Sequence, residues 1–127
     1  MPPLANATAR TVAVVDDDPA VLGALHFALW TEGYNVRTFA SAEAALAADG
    51  IEKADCYILD VRLPGIGGLE FLARLRKQGV KAPAVVVTTH PDPRCRRDAQ
   101  QSGAQIVEKP LMGDALSRKI GDLLART

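Results

Sequence analysis

This chain carries no net charge: its 15 Lys and Arg residues balance 15 Asp and Glu. A neutral chain has no whole-molecule field that would hold nucleic acid or an anionic membrane, so neither is an expected partner, and only local patches could act. No apolar run approaches the roughly 18 residues that a membrane-spanning helix requires. The first ten residues contain no hydrophobic stretch of the signal-peptide kind. No internal repeat and no low-complexity tract interrupts the chain. Cysteine is scarce, with Cys56 and Cys95 the only two. That excludes a disulfide framework and fits a reducing compartment. Together these absences lead to the expectation of a cytoplasmic protein. Histidine is equally scarce, with only His26 and His90. His26 falls in mid-helix without a clear partner, whereas His90 follows Thr88-Thr89, at what would be the mouth of a site.

What is present suits one soluble domain. The chain has 127 residues, 48% apolar and 24% charged, enough to bury a core without metal or disulfide staples. Residues 1–10, rich in Ala, Pro, Asn and Thr, show no period and read as a disordered leader. Residues 11–127 read as a single domain, in which short β-branched runs alternate with longer amphipathic stretches. Thr11–Val15 is continuously apolar, as a strand covered on both faces should be. Asp18 and Pro19 then supply an N-cap and a first helical residue. Val21, Leu22, Leu25, Ala28 and Leu29 form the apolar stripe of that helix, and Gly33 ends it. A second strand covers about Tyr34 to Phe39. Ser41 opens a second helix through Ala48, with Ala44, Ala45 and Leu46 facing inward. The third strand is Cys56-Tyr57-Ile58-Leu59, ending at Asp60. A Pro- and Gly-punctuated loop runs from Arg62 to Gly68, and Leu69, Leu72 and Leu75 mark a third helix. The fourth strand, Ala84–Val87, ends at Thr88. A polar helix follows over about Asp92 to Ser102. The fifth strand, Gln105–Glu108, ends at Lys109-Pro110, and Leu116, Ile120, Leu123 and Leu124 mark the last helix.

Five strands alternating with five helices in so short a chain imply an α/β fold with a doubly wound parallel sheet. The expected architecture is flavodoxin-like, with strand order 2-1-3-4-5 and a switch point between strands one and three. In such a sheet the carboxyl ends of the strands share one edge. Strand one ends in Asp16-Asp17, strand three in Asp60, strand four in Thr88 and strand five in Lys109, so these side chains should converge. Carboxylates crowded at low dielectric repel one another and need compensation. A hard cation with oxygen ligands supplies it, and Mg²⁺ favours few carboxylates plus waters and phosphate oxygens. With Lys109 as a fixed positive charge and Thr88 as a hydroxyl donor, the set matches the needs of phosphoryl transfer.

Four segments, Val14-Val15-Asp16-Asp17-Asp18-Pro19, Leu59-Asp60-Val61-Arg62-Leu63-Pro64-Gly65, Val87-Thr88 and Glu108-Lys109-Pro110, together resemble the receiver domains of two-component response regulators. The resemblance extends from Thr11 to Ala125. It implies that Asp60 is the phosphoacceptor, supplied by a sensor histidine kinase or a histidine phosphotransfer protein. It implies Mg²⁺ as cofactor, held by Asp17 directly, by Asp16 mainly through a metal-bound water, by Asp60 and by the backbone carbonyl of Arg62. Thr88 would be the switch hydroxyl and Lys109 the partner of a phosphoryl oxygen, with a cis Lys109–Pro110 bond. The implied activity is autocatalytic acceptance of a phosphoryl group rather than enzymatic turnover, and the implied output is contact with a downstream protein.

This sequence departs from the family pattern in places. Thr89 stands where receivers usually carry Ala or Gly, so phosphorylation by small donors and hydrolysis are both expected to be slow. Ile106 replaces the usual Tyr or Phe of strand five, which should reduce its coupling to Thr88. In the fourth helix only Cys95 and Ala99 are apolar between Arg94 and Ser102. That is a solvated helix with a thin stripe, or one loosely held and able to shift as a unit, showing a basic surface to an acidic partner. Trp30, beside the first helix's stripe, is peripheral core or an exposed contact. Two other readings remain. A phosphatase of the haloacid dehalogenase type would use Asp16 and Asp18, although Ala20 stands where its threonine belongs and no cap domain is present. A pseudo-receiver would bind partners without phosphorylation. With the last helix running to Leu124, a stand-alone receiver is the expectation over a fragment of a longer regulator.

Overall fold

The computed structural model describes residues 9–109 and 115–125. In chain order the elements are β1 (Thr11–Val15), α1 (Pro19–Thr31), β2 (Asn35–Phe39), α2 (Ala42–Leu46), a 3-10 turn over Ile51–Lys53, β3 (Cys56–Asp60), α3 (Gly68–Lys77), β4 (Ala84–Thr88), α4 (Pro93–Gln101), β5 (Ala104–Glu108) and α5 (Ala115–Ala125). The strands form one sheet in the order β2-β1-β3-β4-β5, every neighbouring pair parallel. This is the flavodoxin-like doubly wound arrangement. Because β1 lies between β2 and β3, the direction of winding reverses beside it and a crevice opens at the carboxyl ends of β1 and β3.

Successive strand residues face opposite sides, so β1 serves two cores. Val12 and Val14 pack with Ile58, Val85 and Val87 under α1 and α5, which contribute Leu22, Leu25, Leu29, Leu116, Ile120 and Leu124. Ala13 and Val15 pack with Tyr57, Leu59 and Val86 under Ala42 and Ala45 of α2, Phe71, Leu72 and Leu75 of α3, and Ala99 of α4. β3 and β4 are buried along their whole length, which explains their uninterrupted apolar sequences. Helix starts are fixed by side-chain caps. Asp18 accepts from the Ala20 N–H at 2.9 Å, Ser41 from Ala44 at 3.0 Å and Asp92 from Cys95 at 2.7 Å.

The differences from the sequence reading concern alanine above all. The second helix stops at Leu46 rather than Ala48, and Ala42 and Ala45 face the core while Ala44 is exposed. A 3-10 turn with buried Ile51 completes that crossover. In α1, Ala28 is exposed and Leu29 is the buried residue. A methyl group adds little burial energy, so its position on a helix face is set by larger neighbours. In α3 the fully buried Phe71 joins Leu72 and Leu75. The fifth strand begins one residue early, at Ala104.

Residues 1–8 and the Lys109–Pro110 bond lie outside the described residues. Ala9 and Arg10, assigned to the leader, lie beside β2: the Asn35 N–H donates to Arg10 O at 2.9 Å and Asn35 Nδ2 to Ala9 O at 3.4 Å. Cys56 and Cys95 are buried and free, and burial pushes the Cys56 thiol up to about 12. No helix among the described residues is long and apolar enough to cross a membrane.

Arg76 ties the far edge of the molecule together. From the end of α3 its guanidinium donates to the carbonyls of Ser102 at 2.8 Å, Val80 at 3.0 Å and Ala82 at 2.7 Å. It thereby joins the exit of α4 to the approach to β4. An ammonium cannot reproduce this planar fork. Arg76→Lys should therefore cost about 1–3 kcal/mol in urea unfolding, and should speed hydrogen exchange at the Ser102–Ala104 turn. Wild-type stability in that variant would show the clamp to be dispensable.

Candidate functional site

Four strand ends build the site. β1 and β3 are paired, with Val15 opposite Leu59, so Asp16 and Asp60 emerge side by side at the carboxyl edge. Asp17 follows into solvent. Asp16 and Asp60 are buried to 4% and 7% exposure, unusual for carboxylates. Asp16, Asp17 and Asp60 can each direct a carboxylate oxygen to within 4.8 Å of the others. Lys109, at the end of β5, reaches over from the far side. Its Nζ donates to Asp60 Oδ2 at 3.1 Å and lies 3.7 Å from Asp16 Oδ2. Backbone N–H groups fill other positions: Asp18 donates to Asp16 Oδ1 at 2.9 Å, and Arg62 to Asp60 Oδ1 at 3.2 Å.

Burial raises the Asp16 carboxyl above its ordinary range. The Asp18 N–H pulls it down, the neighbouring Asp60 pushes it up, and Lys109 offsets this only in part. Burial also opposes the charge on Lys109. The hydrogen bond to Asp60 and the charges of Asp16 and Asp60 outweigh that, so its pKa lies above the usual value. The two shifts act oppositely on stability. Asp16 favours folding when protonated, a contribution lost as pH rises through its raised folded pKa, so its ionisation weakens the fold at neutral pH. Lys109 supports the fold at neutral pH and loses that contribution only as pH rises through its own raised folded pKa.

The donor set fits a hard divalent cation. All donors are oxygens, one carboxylate is solvent-facing, and a single lysine leaves negative charge in excess. Thr88 is buried at the end of β4, one residue beyond Val87, which pairs with Asp60. Its Oγ accepts from the His90 N–H at 3.3 Å and its carbonyl from the Lys109 N–H at 2.9 Å. Thr89 and His90 are exposed in the following loop. Arg62 stands in the loop after Asp60 with its side chain in solvent. Ile106 is apart from the carboxylates, packed against the core beneath α2, α3 and α4. His26 is also remote from them, on α1 beside Phe27 and Trp30.

Two supporting residues were not legible in the sequence. Gly68, read as loop punctuation, is the first residue of α3, and a Cβ there would collide with the Asp60 carbonyl oxygen. Glu43 of α2 accepts from the Ile66 N–H at 3.2 Å and so holds the loop after Asp60. No local signal marks an exposed glutamate 23 residues away as a loop anchor.

Fold and site together describe a flavodoxin-like α/β domain with an acidic, lysine-bridged pocket at its switch point. The family model for the response regulator receiver domain matches residues 12–121. The chain belongs to this family, and with it to two-component signalling. It is 36% identical over 110 residues to the transcriptional regulatory protein FixJ of Bradyrhizobium diazoefficiens, an alignment covering 86% of this chain and 54% of the relative. It is 35% identical over 118 residues to the C4-dicarboxylate transport regulator DctD of Pseudomonas aeruginosa, covering 91% of this chain and 26% of DctD. The chain thus spans about half the length of FixJ and about a quarter of DctD. Among solved structures, a receiver domain protein from Methanospirillum hungatei superposes with a TM-score of 0.86 at 28% identity, covering 94% of this chain and 96% of that one. The Vibrio cholerae chemotaxis protein CheY4 gives 0.84 at 27% identity, covering 91% and 99%.

The strained Asp16 carboxylate makes a specific prediction. Without divalent cations, Asp16→Asn should raise the melting temperature at pH 7 by on the order of a few degrees. The amide keeps an acceptor for the Asp18 N–H and removes the like charge. Added Mg²⁺ should stabilise the wild type more than the variant. A lower melting temperature in Asp16→Asn would mean that the Lys109 contact outweighs the repulsion.

Proposed function

We propose that Asp60 accepts a phosphoryl group from a phosphohistidine on a sensor histidine kinase or a histidine phosphotransfer protein, in a Mg²⁺-dependent step, and that this changes contacts with a downstream protein. The observation that carries the reading is the Lys109 Nζ 3.1 Å from Asp60 Oδ2, beside three carboxylates able to share one cation. In the step a carboxylate oxygen of Asp60 forms the new P–O bond while the donor's P–N bond breaks. The donor imidazole leaves with that bonding pair. Asp17, Asp60 and the Arg62 carbonyl, with Asp16 mainly through a metal-bound water, would hold Mg²⁺, which would supply the positive charge that neutralises the transferring group. Lys109 exchanges its hold on Asp60 for a phosphoryl oxygen. The Thr88 hydroxyl turns from the His90 N–H toward the phosphoryl group. The Arg62 N–H steadies the Asp60 carboxylate.

This is acceptance of a group by the protein itself rather than turnover, in a cytoplasmic domain over residues 11–127. Asp18 spends a carboxylate oxygen on capping α1, which argues against its use as the acid/base of a haloacid dehalogenase-type phosphatase. The complete acidic set argues against a pseudo-receiver. For readout, Ile106 has no polar tip and little surface to swing, so α4 is the better output element. Its buried residues are only Cys95 and Ala99, so it is held by little apolar surface.

Incubation with acetyl phosphate and Mg²⁺ should add one phosphoryl mass to the protein, and Asp60→Asn should abolish it. Full labelling of that variant would remove Asp60 from the role. Asp17→Asn should weaken Mg²⁺ binding about tenfold or more, since a carboxylate ligand is lost. Thr89→Ala should speed both phosphorylation by acetyl phosphate and hydrolysis, by relieving crowding at the pocket mouth. Unchanged rates would place the control elsewhere. With beryllofluoride, the largest change in hydrogen exchange should fall in residues 89–103, and a change confined to the Asp60 loop would exclude α4 as the moving element.

A further inference from the structure

Between Asp60 and α3 the chain makes a loop over residues 61–67, and its two ends are tied by the backbone. The Val61 N–H donates to the Val87 carbonyl at 3.0 Å, and the Gly68 N–H to the Val61 carbonyl at 3.3 Å. Gly67 and Gly68 lie so close to the Val61 and Asp60 carbonyls that neither leaves ordinary room for a Cβ. The tip is held differently. Leu63 and Ile66 lean on the core, an attraction without direction, while Pro64 and Gly65 are exposed.

The one polar tie on this tip among the described residues comes from another element. Glu43, on α2, accepts the Ile66 N–H at 3.2 Å. Its carboxylate lies over Gly65, in the space that a Cβ on that residue would take. Gly65 has φ +74°, a conformation that side chains rarely adopt. The contact therefore needs both residues, an acceptor on α2 and a glycine beneath it. Glu43 is not itself among the acids able to share a cation, which among the described residues are Asp16, Asp17 and Asp60. Two plainer roles compete. An acid in the first turn suits a helix start, and any hydrogen bond adds a little to stability.

We infer that Glu43 is a positioning residue for the cation site: its hold on Ile66 above Gly65 sets the loop that carries the Arg62 carbonyl, which would be a ligand of Mg²⁺. The inference rests on the proposed Mg²⁺-dependent step at Asp60. The Arg62 N–H is already tied to Asp60 Oδ1 at 3.2 Å, and its carbonyl lies on the tip side of that bond. Mg²⁺ demands near-ideal octahedral geometry at about 2.1 Å, so a carbonyl free to drift costs affinity. Groups that orient a metal ligand are commonly worth about tenfold or more. Glu43 acts on the loop rather than on the ligand itself, so a smaller factor is expected.

Mg²⁺ titration of the full chain, followed by the backbone amide resonances of residues 16–18, tests it. Glu43→Ala should bind Mg²⁺ about three- to tenfold more weakly than the wild type. Its melting temperature in cation-free buffer should stay within about two degrees of wild type. In that same cation-free protein the Ile66 N–H should exchange faster with solvent. Glu43→Gln keeps an acceptor oxygen and loses the charge, and should bind Mg²⁺ as the wild type does. Equal weakening in the two variants would trace the effect to charge and overturn the inference. Asp17→Asn, titrated alongside, separates the inference from the reading beneath it. If Asp17→Asn loses affinity and Glu43→Ala does not, the cation site stands and the inference alone falls. If Asp17→Asn keeps wild-type affinity, the cation site is not where the proposed function sets it, and the inference falls with that reading.

Discussion

The contact between Lys109 and the Asp60 and Asp16 carboxylates is the constraint around which the molecule is arranged. Two buried acids with a third beside them would otherwise repel one another in a low-dielectric crevice. The lysine arrives from β5, at the opposite edge of the sheet from β2, and spans the carboxyl end of β4 to reach β3. Its position depends on the whole sheet, since β5 must pair with β4 and β4 with β3 in register. Burial above all, and then the neighbouring Asp60, still raise the Asp16 carboxyl, and Lys109 offsets this only in part. A pocket left short of positive charge is one in which a bound cation, and then a change in the Asp60 charge, has a large effect.

The two faces of the sheet divide the work. α1 and α5 cover one side, while α2, α3 and α4 cover the side on which Ile106 packs. Near Asp60, Gly68 lets α3 begin against the Asp60 backbone and Glu43 anchors the loop that follows. α4 is held by the buried Cys95 and Ala99 and by the Arg76 clamp at its exit. FixJ and DctD, named above, are transcriptional regulators considerably longer than this chain.

Much was legible in the sequence because the signals were redundant. Short, continuous β-branched runs between helical patterns point to strands covered on both faces. Asp18, Ser41 and Asp92 fix helix starts through local capping bonds. Ending each of four strands with a polar residue marked the site, since a parallel sheet brings those ends to one edge whatever the loops do. The misreadings fall where side chains are too small to carry a direction. Ala28 and Ala44 bury or expose little surface either way, so their facing follows from Leu29 and Ile51.

By itself the sequence determined the α/β class, the strand order and the identity of Asp16, Asp17, Asp60, Thr88 and Lys109 as the residues of the crevice, because period, caps and strand ends are local properties. Tertiary structure alone decided how these residues meet: that Lys109 bonds Asp60 more closely than Asp16, that the Thr88 hydroxyl rests on the His90 N–H, and that Gly68 is a close-contact residue rather than a turn. It also decided that no described element covers the outer face of α1. The reason is the same in each case. Distance, exposure and the unpaired face of a helix depend on segments far apart in the chain, and no local pattern encodes them.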